Sequence, residues 1–141
     1  MMGVPATLLR KMYLSSSLRN TSDGFQFSLK NRLAPATIVG IGTLETAQKT
    51  FPPEVITVEL NKACRPAAQV DPRRPLFFDV NDVLTVHVAG RPLAPGHHPL
   101  TLHLHVREVG HLCIPIEDDV RTDALHDLRP STATLPVAFP S

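Results

Sequence analysis

Histidine is the residue type most able to do chemistry in this chain: seven occur, and five of them fall between positions 87 and 105. The segment TVHVAGRPLAPGHHPLTLHLHVRE reads as strand, loop, strand. Pairing Ala89 with Pro99 across the loop from Gly90 to His98 sets Val88 opposite Leu100, Val86 opposite Leu102 and Leu84 opposite Leu104, so the apolar sets coincide on one face. The other face then pairs His87 with Thr101 and Thr85 with His103, with His105 two residues further along. Pro99 has no N–H to donate, which makes these non-hydrogen-bonded pairs, where side chains approach most closely. On this register His87, His103 and His105 share a face and could hold zinc or a similar transition metal, whose ligating nitrogens must converge to about 2.0–2.1 Å from the ion. Glu108 and Glu117 are the candidates for a fourth ligand. The plainer reading is a solvated sheet face that carries polar side chains. It is preferred, because a metal site also needs outer-shell support that this pattern does not display. His98 has the parity of Leu100 and Leu102 and is expected at the rim of the core, hydrogen-bonded to backbone.

Other chemistry is sparse. The chain has no GxSxG, no glycine-rich phosphate loop, no CxxC and no HExxH. Ser15-Ser16-Ser17 has no local base. Asp118 and Asp119 are consecutive in a strand pattern, so they point to opposite faces and cannot act as a carboxylate pair. Asp79 and Asp82 flank Val80-Asn81 as turn residues. Cys64 and Cys113 are expected to stay reduced, since no export signal is recognisable and neither has a partner at metal-site spacing.

The elements that would position these residues are strands. Phe25, Phe27 and Leu29 alternate with polar residues, as do Ile56, Val58 and Leu60, then Leu84 to Val88, Leu100 to Val106, and Leu112 to Ile116. Weaker strands are read at Met12–Leu18, Thr37–Leu44 and Pro75–Phe78, with Gly40 and Gly42 suggesting a bulge in the second of these. Seven or eight short strands separated by Pro, Gly, Asn and Asp turns predict an all-β fold, an antiparallel two-sheet sandwich, with a partly open barrel as the alternative. Fourteen prolines in 141 residues exclude long helices. The domain is expected over 12–120, after an extension at 1–11 and before a tail at 121–141, in which Thr122 caps one helical turn through Leu128. A net charge of +1 gives no electrostatic case for nucleic acid or an anionic membrane. No run approaches about 18 apolar residues, so no membrane span is expected, and the expected location is cytoplasmic.

Four segments, SLRNTSDGFQFSLKN, LAPATIVGIGTL, FPPEVITVEL and GRPLAPGHHPL, follow one another over a stretch from Met12 to Val120 that resembles the β subunit of C-glycoside deglycosidases. The shared features are turn glycines, strand apolars and an L-x-x-G-x-H pattern at Leu93, Gly96 and His98; Ser16 and Ala36 stand where the resemblance implies glycine. The resemblance implies a sandwich docked beside a larger barrel-type α subunit, which holds the divalent metal and the catalytic groups. It carries no catalytic residue onto this chain. Short chains of similar design also bear the label hydroxymethylglutaryl-CoA reductase, but this sequence offers no cofactor loop and no hydride-transfer site.

The leading expectation is therefore a non-catalytic accessory subunit of a sugar-active or related metabolic enzyme, with no cofactor of its own. A small metal-dependent enzyme built on His87, His103 and His105 is the alternative. A free-standing carbohydrate-binding module ranks lowest, because the chain has no Trp and one Tyr to stack on sugars. The partner is expected to be the barrel-type subunit or a second copy. Thr85, His87, Thr101, His103, His105 and Arg107 form a polar strip without Lys or Glu at its centre, as interface cores do, and the strip with Leu93, Gly96 and His97 of the loop is the expected contact.

Overall fold

A computed structural model describes residues 4–120. The chain is an antiparallel two-sheet β-sandwich, as the alternation implies, with ten strands among the described residues in place of seven or eight. The first sheet is ordered β1 (Arg19–Thr21), β2 (Gly24–Lys30), β8 (Val83–Ala89), β5 (Ile56–Leu60), β6 (Ala63–Pro66). The second is ordered β10 (Gly110–Val120), β9 (Gly96–Val106), β3 (Ala36–Thr46), β4 (Thr50–Phe51), with β7 (Leu76–Phe78) also on β3. One short helix, α1 (Ala6–Arg10), precedes them. No helix among the described residues is long and apolar enough to cross a membrane. The expected helical turn from Thr122 to Leu128 and the tail lie outside the described residues.

The strand pairing departs from the hairpin read in the sequence. β8 and β9 are not neighbours: β8 lies between β2 and β5, pairing Val88 with Phe25 and Ile56, whereas β9 lies between β10 and β3. Alternation only requires that Leu84, Val86 and Val88 and that Leu100, Leu102 and Leu104 point into the core, and all six are buried. That requirement is met equally by strands side by side and by strands facing each other across a gap of about 10 Å between packed sheets. The chain takes the second solution. Its connecting loop crosses between the sheets, held by Asn20, whose amide donates to the Leu93 carbonyl at 2.9 Å and accepts from the Leu93 N–H at 2.8 Å. Gly96, with φ of +126°, redirects the backbone into β9 in a conformation that glycine tolerates best.

Met12–Leu18 is not a strand either. It forms one isolated bridge, Tyr13 with Leu29, and otherwise lies along the sandwich edge. Its polar anchor is Tyr13, whose hydroxyl donates to Asp118 Oδ2 at 2.5 Å and accepts from the Leu18 N–H at 2.9 Å. The same carboxylate oxygen accepts from the Ser16 N–H at 3.0 Å. Ser16 has a φ of 65°, so it holds the left-handed conformation that the expected glycine would adopt freely. Ala36, the other such position, opens β3 without a positive φ. The irregularity anticipated at Gly40 and Gly42 is present, since the β3–β9 register shifts between Ile38 and Gly40 and again between Ile41 and Leu44.

Two outcomes follow from this packing. A Cβ at Gly24 would sit 1.8 Å from the Val88 carbonyl oxygen, whereas one at Gly40 would meet His105 at an ordinary 3.5 Å. Gly24→Ala should therefore lower the stability measured by chemical denaturation by about 1–3 kcal/mol or more, and Gly40→Ala should change it far less. Burial and the hydrogen bond to Asp118 push the Tyr13 phenol from its ordinary 10.0 up to about 12. A folded-state value above the unfolded one adds stability that is complete below pH 10 and is lost as pH rises toward 12. Tyr13→Phe should lower stability near neutrality by about 1–3 kcal/mol and flatten this alkaline loss, as read by denaturation at a series of pH values.

Candidate metal centre and apolar cleft

The β9–β10 hairpin places its polar side chains on the outer face of the second sheet. Its apolar residues, Leu102, Leu104, Leu112 and Ile114, are buried, so parity sends His103, His105, His111 and Cys113 outward together. The register pairs Cys113 with His103 and His111 with His105, which makes His111 and His103 diagonal neighbours. A three-residue turn, closed by Gly110 at φ +85°, sets this register.

The side chains converge. His103 Nδ1 lies 3.0 Å from His111 Nε2 and 3.4 Å from Cys113 Sγ, and Cys113 Sγ lies 3.8 Å from His111 Nε2. The His111 ring stacks on both neighbouring histidines, with centroids 5.1 Å from His103 and 5.0 Å from His105. On the far side of the His103 ring, Nε2 is buried without a hydrogen-bond partner of good geometry, and the nearest acceptor is Glu45 Oε1 of β3 at 3.5 Å. The strand beside the histidines is cut back to glycine: Gly40 pairs with His105, and a Cβ on Gly42 would press on His103 Cβ at 3.2 Å.

The expected trio of His87, His103 and His105 is divided by this arrangement. His87 belongs to β8 and faces outward from the first sheet, where its Nε2 approaches Glu59 Oε1 at 3.5 Å. The expected contact strip divides the same way, with Thr85 and His87 on one outer face, Thr101, His103 and His105 on strand β9 of the other sheet, and Arg107 in the turn that follows β9. Leu93 is partly buried against the core. The partners that His103 gains instead are His111 and Cys113 of β10, neither of which the sequence reading names as a ligand. The signal that finds them is H-x-H followed by H-x-C across a three-residue turn.

His98, His97, Asp118 and Asp119 are engaged elsewhere. Buried His98 sets its Nε2 2.6 Å from the Ala94 carbonyl at the core rim, as its parity implies. His97 is exposed beside two carboxylates, with Nδ1 3.0 Å from Asp119 and Nε2 3.3 Å from Glu117. Asp118 and Asp119 do point apart, the first to Tyr13 and the second to His97. Both cysteines are free and exposed.

A cleft of about 140 Å³ opens beside the core, walled by apolar side chains including Val4, Met12, Leu33, Phe78, Val106 and Val109. Two polar side chains line it, and both are engaged. Asn31 donates to the carbonyls of Ala34 and Phe78 and accepts from the Leu33 N–H. Glu108 accepts from the Thr37 N–H at 2.9 Å and its hydroxyl at 2.8 Å, bonds that hold its carboxyl below the usual range.

Residues 8–121 match the family described as hydroxymethylglutaryl-CoA reductase, N-terminal domain. The chain belongs to this family. The match to this reductase N-terminal domain family takes in the ten strands of the described residues, the His103–His111–Cys113 cluster and every cleft-lining residue but Val4. No curated protein matches the chain. Among solved structures, a family 123 glycoside hydrolase from Clostridium perfringens is similar with a TM-score of 0.33 and 11% identity, over 72% of this chain. The chain spans 22% of that hydrolase's length.

The hydrogen bond to Asp119, reinforced by the charges of Asp119 and Glu117, raises the His97 pKa above its ordinary 6.5. A proton NMR titration should find His97 still protonated at pH values where an isolated imidazole is neutral. Asp119→Asn should bring its midpoint down.

Proposed function

We propose that this chain is a non-catalytic accessory domain that packs against a larger, barrel-type subunit of a sugar-active enzyme of the C-glycoside deglycosidase kind, or of a related metabolic enzyme. The observation that carries this reading is the apolar cleft whose two polar side chains, Asn31 and Glu108, are already occupied by Ala34, Phe78, Leu33 and Thr37. Such a cleft can receive an apolar group but offers it no free acid, base or nucleophile. Leu33 at its wall is 39% exposed, which leaves apolar surface at the cleft open to a partner. The family description, an N-terminal domain, agrees with a part that works beside a further folded unit. The resemblance of the four quoted segments to deglycosidase β subunits names the kind of polypeptide. In this reading the cleft takes an apolar side chain of the barrel, and the divalent metal and the reacting groups are the barrel's.

The test is the mass in solution of the chain purified alone and together with a barrel-type subunit from the same genome. A complex of combined mass is expected, with Leu33→Glu weakening it by tenfold or more, as loss of a buried contact worth about 1.4 kcal/mol or more requires. A chain that ignores the barrel, or that turns over substrate by itself, overturns the reading.

A further inference from the structure

We propose that His103, His111 and Cys113 form a zinc site on the outer face of the β9–β10 hairpin, with Glu45 orienting His103. This inference does not depend on the partner reading above. Its ground is the geometry of three donor atoms that come from two strands and meet at one point.

Zinc bonds of about 2.0–2.1 Å to nitrogen and about 2.3 Å to sulfur, at tetrahedral angles, separate two nitrogens by roughly 3.3 Å and a nitrogen from a sulfur by roughly 3.6 Å. The observed separations are 3.0 Å between the nitrogens and 3.4 and 3.8 Å from each nitrogen to the sulfur. The three atoms thus already outline one face of a coordination tetrahedron. The donor set of two imidazoles and a thiolate suits a borderline-soft ion, and excludes calcium or magnesium, which take oxygen ligands.

The arrangement around His103 fixes its tautomer. With Glu45 Oε1 as the nearest acceptor, Nε2 carries the proton and the lone pair sits on Nδ1, aimed at His111 and Cys113. The opposite tautomer would let Nδ1 donate to His111 but would leave an unprotonated, buried Nε2 facing a carboxylate. A metal at the centre of the three donors takes this Nδ1 lone pair, and the Glu45 carboxylate then holds the ligand as outer-shell carboxylates do. His105 is not a ligand. Stacked on His111, it keeps that ring upright. Gly40 and Gly42 place no side chain beside the histidines, so solvent supplies the fourth ligand. On binding, the Cys113 thiol gives up its proton to the medium, and nothing is oxidised or reduced.

The test uses the full chain, reduced and stripped with a chelator, then titrated with zinc against a chromophoric competitor. One ion per chain is expected, with a Kd below about 1 μM. Cys113→Ser and His111→Ala should each weaken binding tenfold or more, Glu45→Gln by about tenfold, and His87→Ala not at all. Because these side chains lie outside the core, the variants should keep the wild-type far-UV spectrum. Cobalt(II) in place of zinc should give a thiolate-to-cobalt charge-transfer band and tetrahedral ligand-field absorption, both lost in Cys113→Ser. A Kd above 1 μM, an octahedral cobalt spectrum, or unchanged affinity in Cys113→Ser overturns the proposal.

Discussion

One dry layer between two sheets is the constraint on which everything else in this domain rests. Phe25, Phe27 and Leu29 of β2, with Leu84, Val86 and Val88 of β8 and Ile56 and Val58 of β5, form one wall. Ile38 and Leu44 of β3, Leu100 to Leu104 of β9 and Leu112 to Ile116 of β10 form the other. Burial of this kind stabilises by about 25 cal/mol per Å² of apolar surface, or about 1.5–3 kcal/mol for each such side chain, where a typical hydrogen bond returns about 1 kcal/mol net. Once these side chains turn inward, their neighbours have no choice of direction. The outward histidines and Cys113 are a consequence of where the leucines and isoleucines go.

The cluster also depends on a short turn and on two glycines. Val106 opposite Gly110 sets the hairpin register, and a slip of one residue would send His111 and Cys113 into the core. Gly42 lets His103 lie close to β3, at a spacing where a side chain would press on the His103 Cβ and backbone. The two register shifts in β3 bring Glu45 alongside the same histidine. Backbone irregularity and missing side chains on one strand thereby shape the surroundings of donors carried by two others.

Polar groups secure the sandwich where the apolar layer ends. Asn31 ties three backbone groups together with its side chain, and its own backbone pairs with Asp82 and Asn81. Tyr13 and Ser16 converge on Asp118 to fasten the segment after α1 to β10. Asn20 holds the loop that crosses between sheets. Each is a side-chain bond to backbone or to one buried-edge partner, and each replaces a stretch of ladder that the strands cannot supply. The apolar cleft lies beside Asn31, where these bonds leave no polar group free.

By itself the sequence determined the fold class, because period-two alternation, turn residues and fourteen prolines permit only short antiparallel strands. It also determined that His98 joins the core rim, that Asp118 and Asp119 diverge, and that β3 is irregular at its glycines, since these are matters of parity and local backbone freedom. Tertiary structure alone decided which strands pair. Alternation states which face of a strand is buried and is silent on whether a second apolar strand lies beside it or across the core. That ambiguity separated His87 from His103. The choice of His111 and Cys113 as the neighbours of His103 rests instead on pairing within β9–β10, a contact between strands that no spacing along either one contains.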